Sequence, residues 1–243
     1  AIGAHIDKKI GIEGPEAEGI ISAVEILRQI GDNEYPDFED RSIVIIGGGN
    51  VAMDVARSAI RLGAKKVSVV YRRRKVDMTA MEEEVQGAIA EGCEILDLFA
   101  PAKIEVDENG HIKGLWIQPK IIGKIENGRP VPAEAKGNEK FLECDLLITA
   151  VGQGIESMAF EKDGIPVTKG VIDALSCAGV KDVPGIYAGG DCVSGPATVI
   201  RAIAAGKVAA ANIDDYLGYH HIIETDVKIP EPRLADRIPC GRV

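Results

Sequence analysis

A short apolar run followed by a cluster of glycines constrains this chain more than any other stretch. Ile43 to Ile46 are unalternating β-branched residues, the pattern of a strand buried on both faces of a parallel sheet. Gly47, Gly49 and Ala52 then occupy the first, third and sixth places of the pattern G-x-G-x-x-G/A. A helical pattern follows through about Leu62. The segment is typical of a strand-turn-helix unit, and the rest of the chain is interpreted relative to it.

This turn has the physical features of a phosphate-binding site. Glycine at the first place permits a tight turn, and glycine at the third lets the backbone approach a pyrophosphate closely. The helix directs its free N–H groups and the positive end of its dipole toward the same point. We therefore predict that Gly47, Gly49, Asn50 and Val51 contact the pyrophosphate of a dinucleotide. Similar turns also occur where no nucleotide binds, so the neighbouring segments must decide.

The next predicted strand ends in a cluster of arginines. Val67 to Val70 form a second short apolar run, and Tyr71-Arg72-Arg73-Arg74 follows it directly. NAD-selective sites usually place an acidic residue here, where it binds the ribose hydroxyl groups. No acidic residue stands at this point, and guanidinium groups are suited to bidentate binding of a 2′-phosphate. The cluster favours NADP(H) over NAD(H), with Arg72 and Arg73 as ligands, whereas the alternative is a solvated loop without a ligand.

Composition argues against several classes of partner. The 243 residues carry a net charge of −10, which disfavours nucleic acid as a general partner. No apolar run approaches the length needed to span a bilayer, so we expect no membrane partner. The chain starts without a secretory signal, and a cytoplasmic protein is expected.

The cysteines and histidines do not form a recognisable reactive site. The cysteines are odd in number, and none has C-x-x-C spacing, so neither a redox disulfide nor a zinc site is predicted. We expect each of them to be a small buried apolar residue. The adjacent His220 and His221 have no partner at metal-binding spacing, and we predict no metal site. The five cysteines are Cys93, Cys144, Cys177, Cys192 and Cys240.

Further helices and a strand are predicted around the glycine-rich unit. Ser22 to Glu25 fits the capping box S-x-x-E and opens a helix that runs to Ile30. Thr79 to Glu82 is a second candidate capping box, leading a helix through about Glu91. Glu94 to Phe99 is the next predicted strand. The resulting order β-α-β-α-β predicts a right-handed parallel arrangement.

Beyond Pro101 the sequence pattern becomes typical of β-hairpins. Lys103 to Val106 and His111 to Gln118 alternate around an Asn-Gly pair, a strong hairpin signal. A polar insertion at 127–130 follows. Cys144 to Ala150 is predicted to be a buried strand that returns to the parallel sheet and is followed by a glycine turn at Gly152.

A third glycine-bearing turn lies near the carboxyl end. Gly185 to Asp191 is predicted as a short strand that ends in Gly-Gly-Asp. Pro196-Ala197-Thr198 then starts a helix through about Leu217, which is rich in small residues. Small side chains allow a helix to approach other backbone or a flat ligand closely, so either tight packing or ligand binding explains them.

With these motifs in place, the sequence resembles the two-dinucleotide flavoprotein reductases, most closely the small subunit of glutamate synthase and its relatives. These relatives include the flavin part of dihydropyrimidine dehydrogenase and the NADPH-binding subunit of electron-bifurcating transhydrogenase. Four motifs, in matching order over residues 1 to about 218, carry the resemblance. They are Ala1-Ile2-Gly3-Ala4, Gly47 to Asp54 with Tyr71-Arg72-Arg73, Ala150-Val151-Gly152-Gln153 and Tyr187-Ala188-Gly189-Gly190-Asp191.

The resemblance implies an α/β fold with two dinucleotide-binding parts. A Rossmann-like NAD(P)H-binding domain, with a three-layer parallel sheet and β-meander, would be residues 34–153. It would be inserted in a partial FAD-binding domain formed by residues 1–33 and 154–218, with 219–243 as a tail. In this family the glycine motif that holds the ADP half of FAD would precede residue 1. We therefore interpret the chain as a fragment whose partner is the missing amino-terminal FAD-binding segment.

The resemblance also implies positions for the flavin and a direction of electron flow. Gly190 and Asp191 would lie at the ribityl chain of FAD, Ala197 and Thr198 near the flavin ring, and Gly152 near the nicotinamide. Hydride would pass between NADPH and FAD, and electrons would continue to an iron-sulfur domain or a large catalytic subunit. This chemistry belongs to the cofactors, so no catalytic side chain is named.

Two other classes of function stay open. A module that binds NADP(H) without turnover would keep the central domain and lack working flavin contacts, and we expect the isolated fragment to be inactive in this way. A conventional dehydrogenase would need a catalytic histidine, a Tyr-Lys pair or a metal beside the nicotinamide. His5, His111, His220 and His221 have no such context. A disulfide reductase of the same fold is disfavoured because no redox cysteine pair is visible.

Overall fold

The structure, a computed structural model, describes residues 1–126 and 129–222. His5–Gly154 form the larger of two compact units, and Ala1–Ala4 with the residues from Ile155 onward form the smaller. Residues 223–243 lie outside the described residues, and they include most of the predicted tail and Cys240. The assignment of domains to particular dinucleotides stays a prediction.

The larger unit is built from β-strands and three α-helices within its described residues. One 3-10 turn is also present in these residues, Lys75–Asp77. The elements are β1 Ile6–Asp7, β2 Ile20–Ser22, α1 Ala23–Gly31, β3 Ser42–Ile46, α2 Asn50–Arg61, β4 Lys66–Tyr71, α3 Glu82–Ala90, β5 Glu94–Asp97, β6 Phe99–Val106, β7 Ile112–Glu126, β8 Arg129–Glu134, β9 Lys140–Glu143, β10 Leu146–Thr149 and β11 Gln153–Gly154.

A five-stranded parallel sheet forms the centre of this unit. Its strand order is β2-β10-β3-β4-β5, and Ile45 pairs with Ile148 on one side and Val69 on the other. Because the strands are parallel, the segments after β3, β4 and β10 all leave from the same edge of the sheet. That edge therefore collects the glycine turn, the arginine cluster and Gly152.

The sheet is covered on both faces, which explains the unalternating apolar strands. Ile43 and Ile45 pack with helices α1, α2 and α3, whereas Val44 and Ile46 face the opposite side. On that second side the cover is an antiparallel sheet in which β7 pairs with β6, β8 and β9. Leu115 of β7 is fully buried there. These three layers confirm the predicted α/β fold with a Rossmann-like parallel sheet and a β-meander.

Two local predictions are confirmed by the hydrogen bonds that define them. Ser22 is the N-cap of α1, and its hydroxyl oxygen accepts from the backbone N–H of Glu25 at 3.1 Å. At the Asn-Gly hairpin, a carboxylate oxygen of Asp107 accepts from the backbone N–H groups of Asn109 and His111. In both cases a short polar side chain satisfies backbone donors at an element boundary.

Other local predictions were wrong because tertiary contacts or backbone angles override the sequence pattern. The capping box at Thr79 does not form, and α3 begins only at Glu82. The strand predicted over 94–99 divides at Leu98, whose positive φ of 59° separates β5 from β6. Arg129 and Pro130, which were predicted to lie in a polar insertion, belong to β8, and β8 pairs with β7 in an antiparallel hairpin. β2, only three residues long, was not predicted.

The smaller unit is poorer in regular structure. Its elements are α4 Met158–Lys162, β12 Val167–Thr168, β13 Val171–Ile172, α5 Asp191–Ser194 and α6 Val199–Tyr216. The strand predicted over 185–191 is wrong: Tyr187 makes only an isolated bridge to Gly179. Gly185 and Gly190 both have positive φ, which interrupts an extended chain at each end of the segment. The predicted long helix is confirmed as α6.

Candidate functional site

The glycine turn, Gly47–Gly49, lies between β3 and α2, and its first two residues are closely packed against neighbouring segments. Gly47 has a φ of 150°, and a Cβ placed there would collide with the carbonyl oxygen of Ala150, in the segment after β10. A Cβ on Gly48 would stand 2.5 Å from the ring of Tyr71. The first two positions therefore require glycine for close packing of three chain segments. At Gly49 the nearest atom to an added Cβ would be the hydroxyl oxygen of Thr79 at 3.5 Å, an ordinary van der Waals contact, so packing within the chain does not by itself require glycine there.

The amino terminus of α2 leaves backbone donors available to a ligand. Its N-cap is Gly49, which has no side chain to cap the helix, and the first turn carries no acidic residue. The N–H groups of Asn50 and Val51 find no acceptor among the described residues. Free donors and an unopposed dipole at one point are what phosphate oxygens require. Gly47, Gly49, Asn50 and Val51 thus lie together, as a pyrophosphate site would need.

The side chain of Asn50 has a different role from its backbone. Its amide oxygen accepts a hydrogen bond of 2.8 Å from the backbone N–H of Met81. Met81 is the N-cap of α3 and has no side-chain cap of its own. Asn50 therefore joins the start of α2 to the start of α3. The sequence pattern gave no sign of this contact.

The arginine loop, Arg72–Met81, folds onto the glycine turn. The backbone N–H groups of Thr79 and Ala80 donate to the carbonyl oxygen of Gly48 at 2.9 and 3.1 Å. These bonds explain why Thr79 does not cap the next helix, since its backbone is held at the turn instead. The Tyr71 hydroxyl adds a bond of 2.8 Å to the carbonyl oxygen of Asp77. The loop and the turn are therefore one hydrogen-bonded structure.

The three arginines of this loop differ in what they contact. Arg74 donates through Nε and Nη2 to both carboxylate oxygens of Asp77, at 2.7 and 2.9 Å. Arg73 donates through Nε to the carbonyl oxygen of Pro130 at 2.6 Å. Arg72 is exposed, and its guanidinium group has no partner among the described residues. Of the two predicted phosphate ligands, Arg72 is wholly available and Arg73 is partly committed to the β-meander.

Gly152 lies at the same edge of the sheet, in the segment after β10. Its φ is 116°, and its carbonyl oxygen accepts from the backbone N–H of Lys8 at 3.1 Å. An added Cβ would meet only the aliphatic part of Lys8 at 3.7 Å. The conformation, rather than crowding, is what favours glycine here.

The glycine turn near the carboxyl end, Gly189–Asp191, belongs to the smaller unit and is called the second turn below. An added Cβ on Gly189 would lie 3.1 Å from the methyl group of Ala205, so α6 packs closely on this turn. Asp191 accepts from the backbone N–H of Ala197 at 3.2 Å, which fixes the approach to α6. Thr198 is the N-cap of α6 but makes no side-chain cap bond. Gly190, Asp191, Ala197 and Thr198 are thus neighbours in the fold.

A cavity of 250 Å³ lies at the opposite edge of the parallel sheet and is not part of this arrangement. Ser42, Lys66, Ser68 and Lys140 are among its lining residues. The Ser68 hydroxyl and the Lys66 ammonium group both contact Glu94, at 3.0 and 3.2 Å. Two of its polar side chains are therefore already paired, and it lies away from the ends of the strands where ligands bind in such sheets.

The described cysteines have no feature of a thiolate site. Cys93, Cys144 and Cys192 are buried and Cys177 is half-buried, and all four are free thiols. Burial, with a smaller contribution from neighbouring carboxylates, raises the pKa of Cys93 and of Cys144 to about 12. Thiols with such a pKa stay protonated near neutral pH and are poor nucleophiles. In the described part of the chain, no three His, Cys, Asp or Glu side chains are grouped to hold a metal ion.

Sequence reasoning named Tyr71 and Arg74 in the arginine cluster without their contacts, and it missed Asp77. A signal was present for the Arg74–Asp77 pair, because opposite charges three residues apart often pair. Tyr71, the last residue of β4, lies close to Gly48 in the turn after β3, and a single sequence does not reveal such an approach between two segments. No helix within residues 1–126 and 129–222 is long and apolar enough to cross a bilayer.

Comparison with known proteins agrees with this architecture. Residues 1–206 match a family described as pyridine nucleotide-disulphide oxidoreductase. The NADP(+)-dependent formate dehydrogenase subunit beta of Moorella thermoacetica is 39% identical over 221 residues, covering 89% of this chain and 31% of that protein. The glutamate synthase (NADPH) small chain of Escherichia coli (strain K12) is 30% identical over 236 residues, covering 89% of this chain and 49% of that protein. The chain therefore spans about a third to a half of the length of these relatives.

A solved structure has the same fold. Mycobacterium tuberculosis FprA in complex with NADPH superposes with a TM-score of 0.71 at 19% sequence identity, covering 90% of this chain and 63% of that chain. At this identity the likeness concerns the fold alone.

Proposed function

This chain belongs to the pyridine nucleotide-disulphide oxidoreductase family, and we propose that it is the nicotinamide-nucleotide part of an NADPH-dependent flavoprotein oxidoreductase similar to the glutamate synthase small subunit. The observation that carries the proposal is the uncapped start of α2 beside the unpaired guanidinium group of Arg72. Backbone donors at the one and a free cation at the other match a pyrophosphate and a 2′-phosphate.

The residues of the larger unit fit an NADP(H) molecule in defined roles. Asn50 and Val51 would donate their backbone N–H groups to the pyrophosphate, and the missing side chain of Gly49 leaves room for it. Arg72 would bind the 2′-phosphate, with Arg73 contributing the guanidinium nitrogens that Pro130 does not use. Gly152 would lie toward the nicotinamide. No acidic side chain is needed for any of these contacts.

The residues of the smaller unit fit part of a FAD site. Asp191 holds the start of α6 through Ala197, and the uncapped start of that helix would face the flavin. When both cofactors are bound, NADPH supplies a hydride and FAD accepts it. The chain itself binds, orients and excludes water, and no side chain is assigned a proton-transfer role. We assign the ADP half of FAD and the next electron carrier, an iron-sulfur domain or a large catalytic subunit, to partner segments.

The proposal is tested by comparing nucleotide binding to the whole chain and to its arginine variants. By calorimetry, the wild-type chain is expected to bind NADPH more tightly than NADH. Arg72→Ala should weaken NADPH binding by about 1.5 to 3 kcal/mol, because a hydrogen bond to a charged group is lost, and should leave NADH binding nearly unchanged. Arg73→Ala should have a smaller effect of the same sign.

Arg28→Ala is a matched control, since Arg28 lies on α1 in an ion pair with Glu25. Equal weakening of NADPH and NADH by Arg72→Ala would remove the argument for a 2′-phosphate site. The flavin assignment is tested separately by gel filtration after incubation with FAD. A retained flavin spectrum that bleaches with NADPH supports the reductase, and NADPH binding without retained flavin supports a nucleotide-binding module.

A further inference from the structure

The arginine loop contains a carboxylate close to the place where a phosphate would bind. The side chain of Asp77 is only 12% exposed, and both of its oxygens accept from Arg74. Its backbone is also fixed, because its carbonyl oxygen accepts from the Tyr71 hydroxyl and its N–H donates to the carbonyl oxygen of Arg74 at 2.8 Å. The carboxylate therefore stays in the loop whatever its partner.

Arg74 is not the only cation that acts on this carboxylate. The Arg74 guanidinium, and more weakly the charge of Arg73, hold the pKa of Asp77 below its ordinary value. Asp77 is thus ionised near neutral pH, and the charge of one further guanidinium group of the same loop, that of Arg73, acts on it. An ionised carboxylate and a phosphate compete for the same guanidinium groups. Which arginine Asp77 holds decides which arginines remain for a ligand.

We infer that Arg74 is a positioning residue for nucleotide selectivity: by occupying both oxygens of Asp77 it leaves Arg72 and Arg73 to bind a 2′-phosphate. This inference rests on the proposed function and adds a role for a residue pair that does not itself touch the nucleotide. Without Arg74, the carboxylate would take a neighbouring guanidinium and would also repel the phosphate. Arg74 acts on the ligand only through Asp77.

The inference makes an unusual prediction for a set of three variants. Arg74→Gln should weaken binding of NADPH about tenfold, as expected when a charged contact is lost, and leave NADH within about twofold. Asp77→Asn should leave NADPH binding unchanged or tighter, because a negative charge is removed. In Arg74→Gln/Asp77→Asn, binding of NADPH should return to within about threefold of the wild-type value, because the competing carboxylate is gone.

The experiment is calorimetric titration of the full chain with NADPH, NADH, adenosine 2′,5′-bisphosphate and 5′-AMP. The last two probes differ from each other by a 2′-phosphate, as NADPH differs from NADH, but they lack the nicotinamide. Arg28→Gln is the control, because it removes an exposed bidentate arginine-carboxylate pair of the same kind on α1. Thermal unfolding of each variant shows that it is folded, and Asp77→Asn keeps the test decisive if Arg74→Gln does not fold.

Each outcome separates the possibilities. If the double variant binds NADPH as weakly as Arg74→Gln, Arg74 contacts the phosphate itself and the inference is overturned. If Asp77→Asn weakens NADPH, the carboxylate is needed for the loop and the inference is also overturned. If the wild-type chain does not distinguish adenosine 2′,5′-bisphosphate from 5′-AMP, the proposed function itself fails. Discrimination by the wild type together with rescue in the double variant supports both.

Discussion

The two glycine turns of this chain introduce helices of opposite character. After the first turn, α2 buries five of its residues between the parallel sheet and its neighbours: Ala52, Met53, Val55, Ala56 and Ala59. After the second turn and the four-residue α5, α6 has no buried residue, and Val199 and Ile200 in its first turn are 75% and 79% exposed. The same local pattern, glycines followed by a helix rich in small residues, therefore produces a packed element in one unit and an open one in the other.

The first test of this comparison uses the glycines themselves and has the largest expected effect. Gly47→Ala places a methyl group against the backbone of Ala150 in a left-handed conformation, so it should lower the free energy of unfolding by about 3 kcal/mol or more. Gly189→Ala meets only Ala205, with its methyl group at 3.1 Å and its carbonyl oxygen at 3.4 Å, on a largely exposed helix. Its expected cost is about 1 kcal/mol, because α6 can shift.

Urea unfolding compares the effects of the two variants on the larger unit. Trp116, the only tryptophan, lies in the larger unit and reports its transition by fluorescence. Gly47→Ala should move this transition strongly and Gly189→Ala hardly at all. Similar shifts for the two variants would contradict the contrast drawn between the turns.

A second test compares one apolar side chain from each helix. Val55 of α2 is fully buried, so Val55→Ala should cost about 2 kcal/mol through lost contacts and a residual cavity. Ile200 of α6 is mostly exposed, so Ile200→Ala should change stability by less than about 0.5 kcal/mol. A large effect at Ile200, measured by thermal unfolding followed by circular dichroism, would show that α6 is covered in solution.

A third test concerns the polar groups at the two helix starts. Asn50→Ala removes the acceptor for the N–H of Met81, the N-cap residue of α3, at an expected cost of about 1 kcal/mol. Thr198→Ala removes no cap bond and should be close to neutral. Chemical unfolding of the two variants under the same conditions gives the difference, and equal costs would argue against the Asn50 contact.

The smallest expected effect is a pH dependence of stability that arises from ion pairs between α2 and the end of α3. Arg61 and Arg57 of α2 hold the pKa of Glu91, just after α3, below its ordinary value of 4.5. A lowered pKa means that the pair stabilises the fold above pH 4.5 and that this stability is lost as the pH falls through the lower, folded-state value. Glu91→Gln should therefore show a shallower loss of stability below that pH. Parallel curves for wild type and variant would refute the assignment.

The sequence predicted the parts of the fold that depend on local pattern. The Ser22 cap, the β3 strand and the tight turn at Gly47 follow from residue type and spacing alone. The start of α3 did not, because Thr79 matched a capping pattern while its backbone was held by Gly48, a residue from another element. Tertiary hydrogen bonds of this kind leave no periodic trace in one sequence.

The site shows the same division. The position of the arginine cluster at the end of β4 was predictable, because the strand-turn-helix pattern fixes where specificity residues lie. Which of the three arginines is free could not be predicted. Arg73 and Arg74 are engaged by Pro130 and Asp77, and a sequence pattern does not distinguish three adjacent arginines.

The absence of buried side chains along α6 has a consequence for its amide hydrogens. In α2, an amide can exchange with solvent only when a helix packed on a sheet is released, so exchange should follow the global unfolding of the larger unit. In α6, the helical hydrogen bonds themselves are nearly the whole of the protection, so its amides should exchange through local opening. A segment or ligand that covers Val199 and Ile200 would slow that exchange, so deuterium uptake along α6 would report whether this helix is covered.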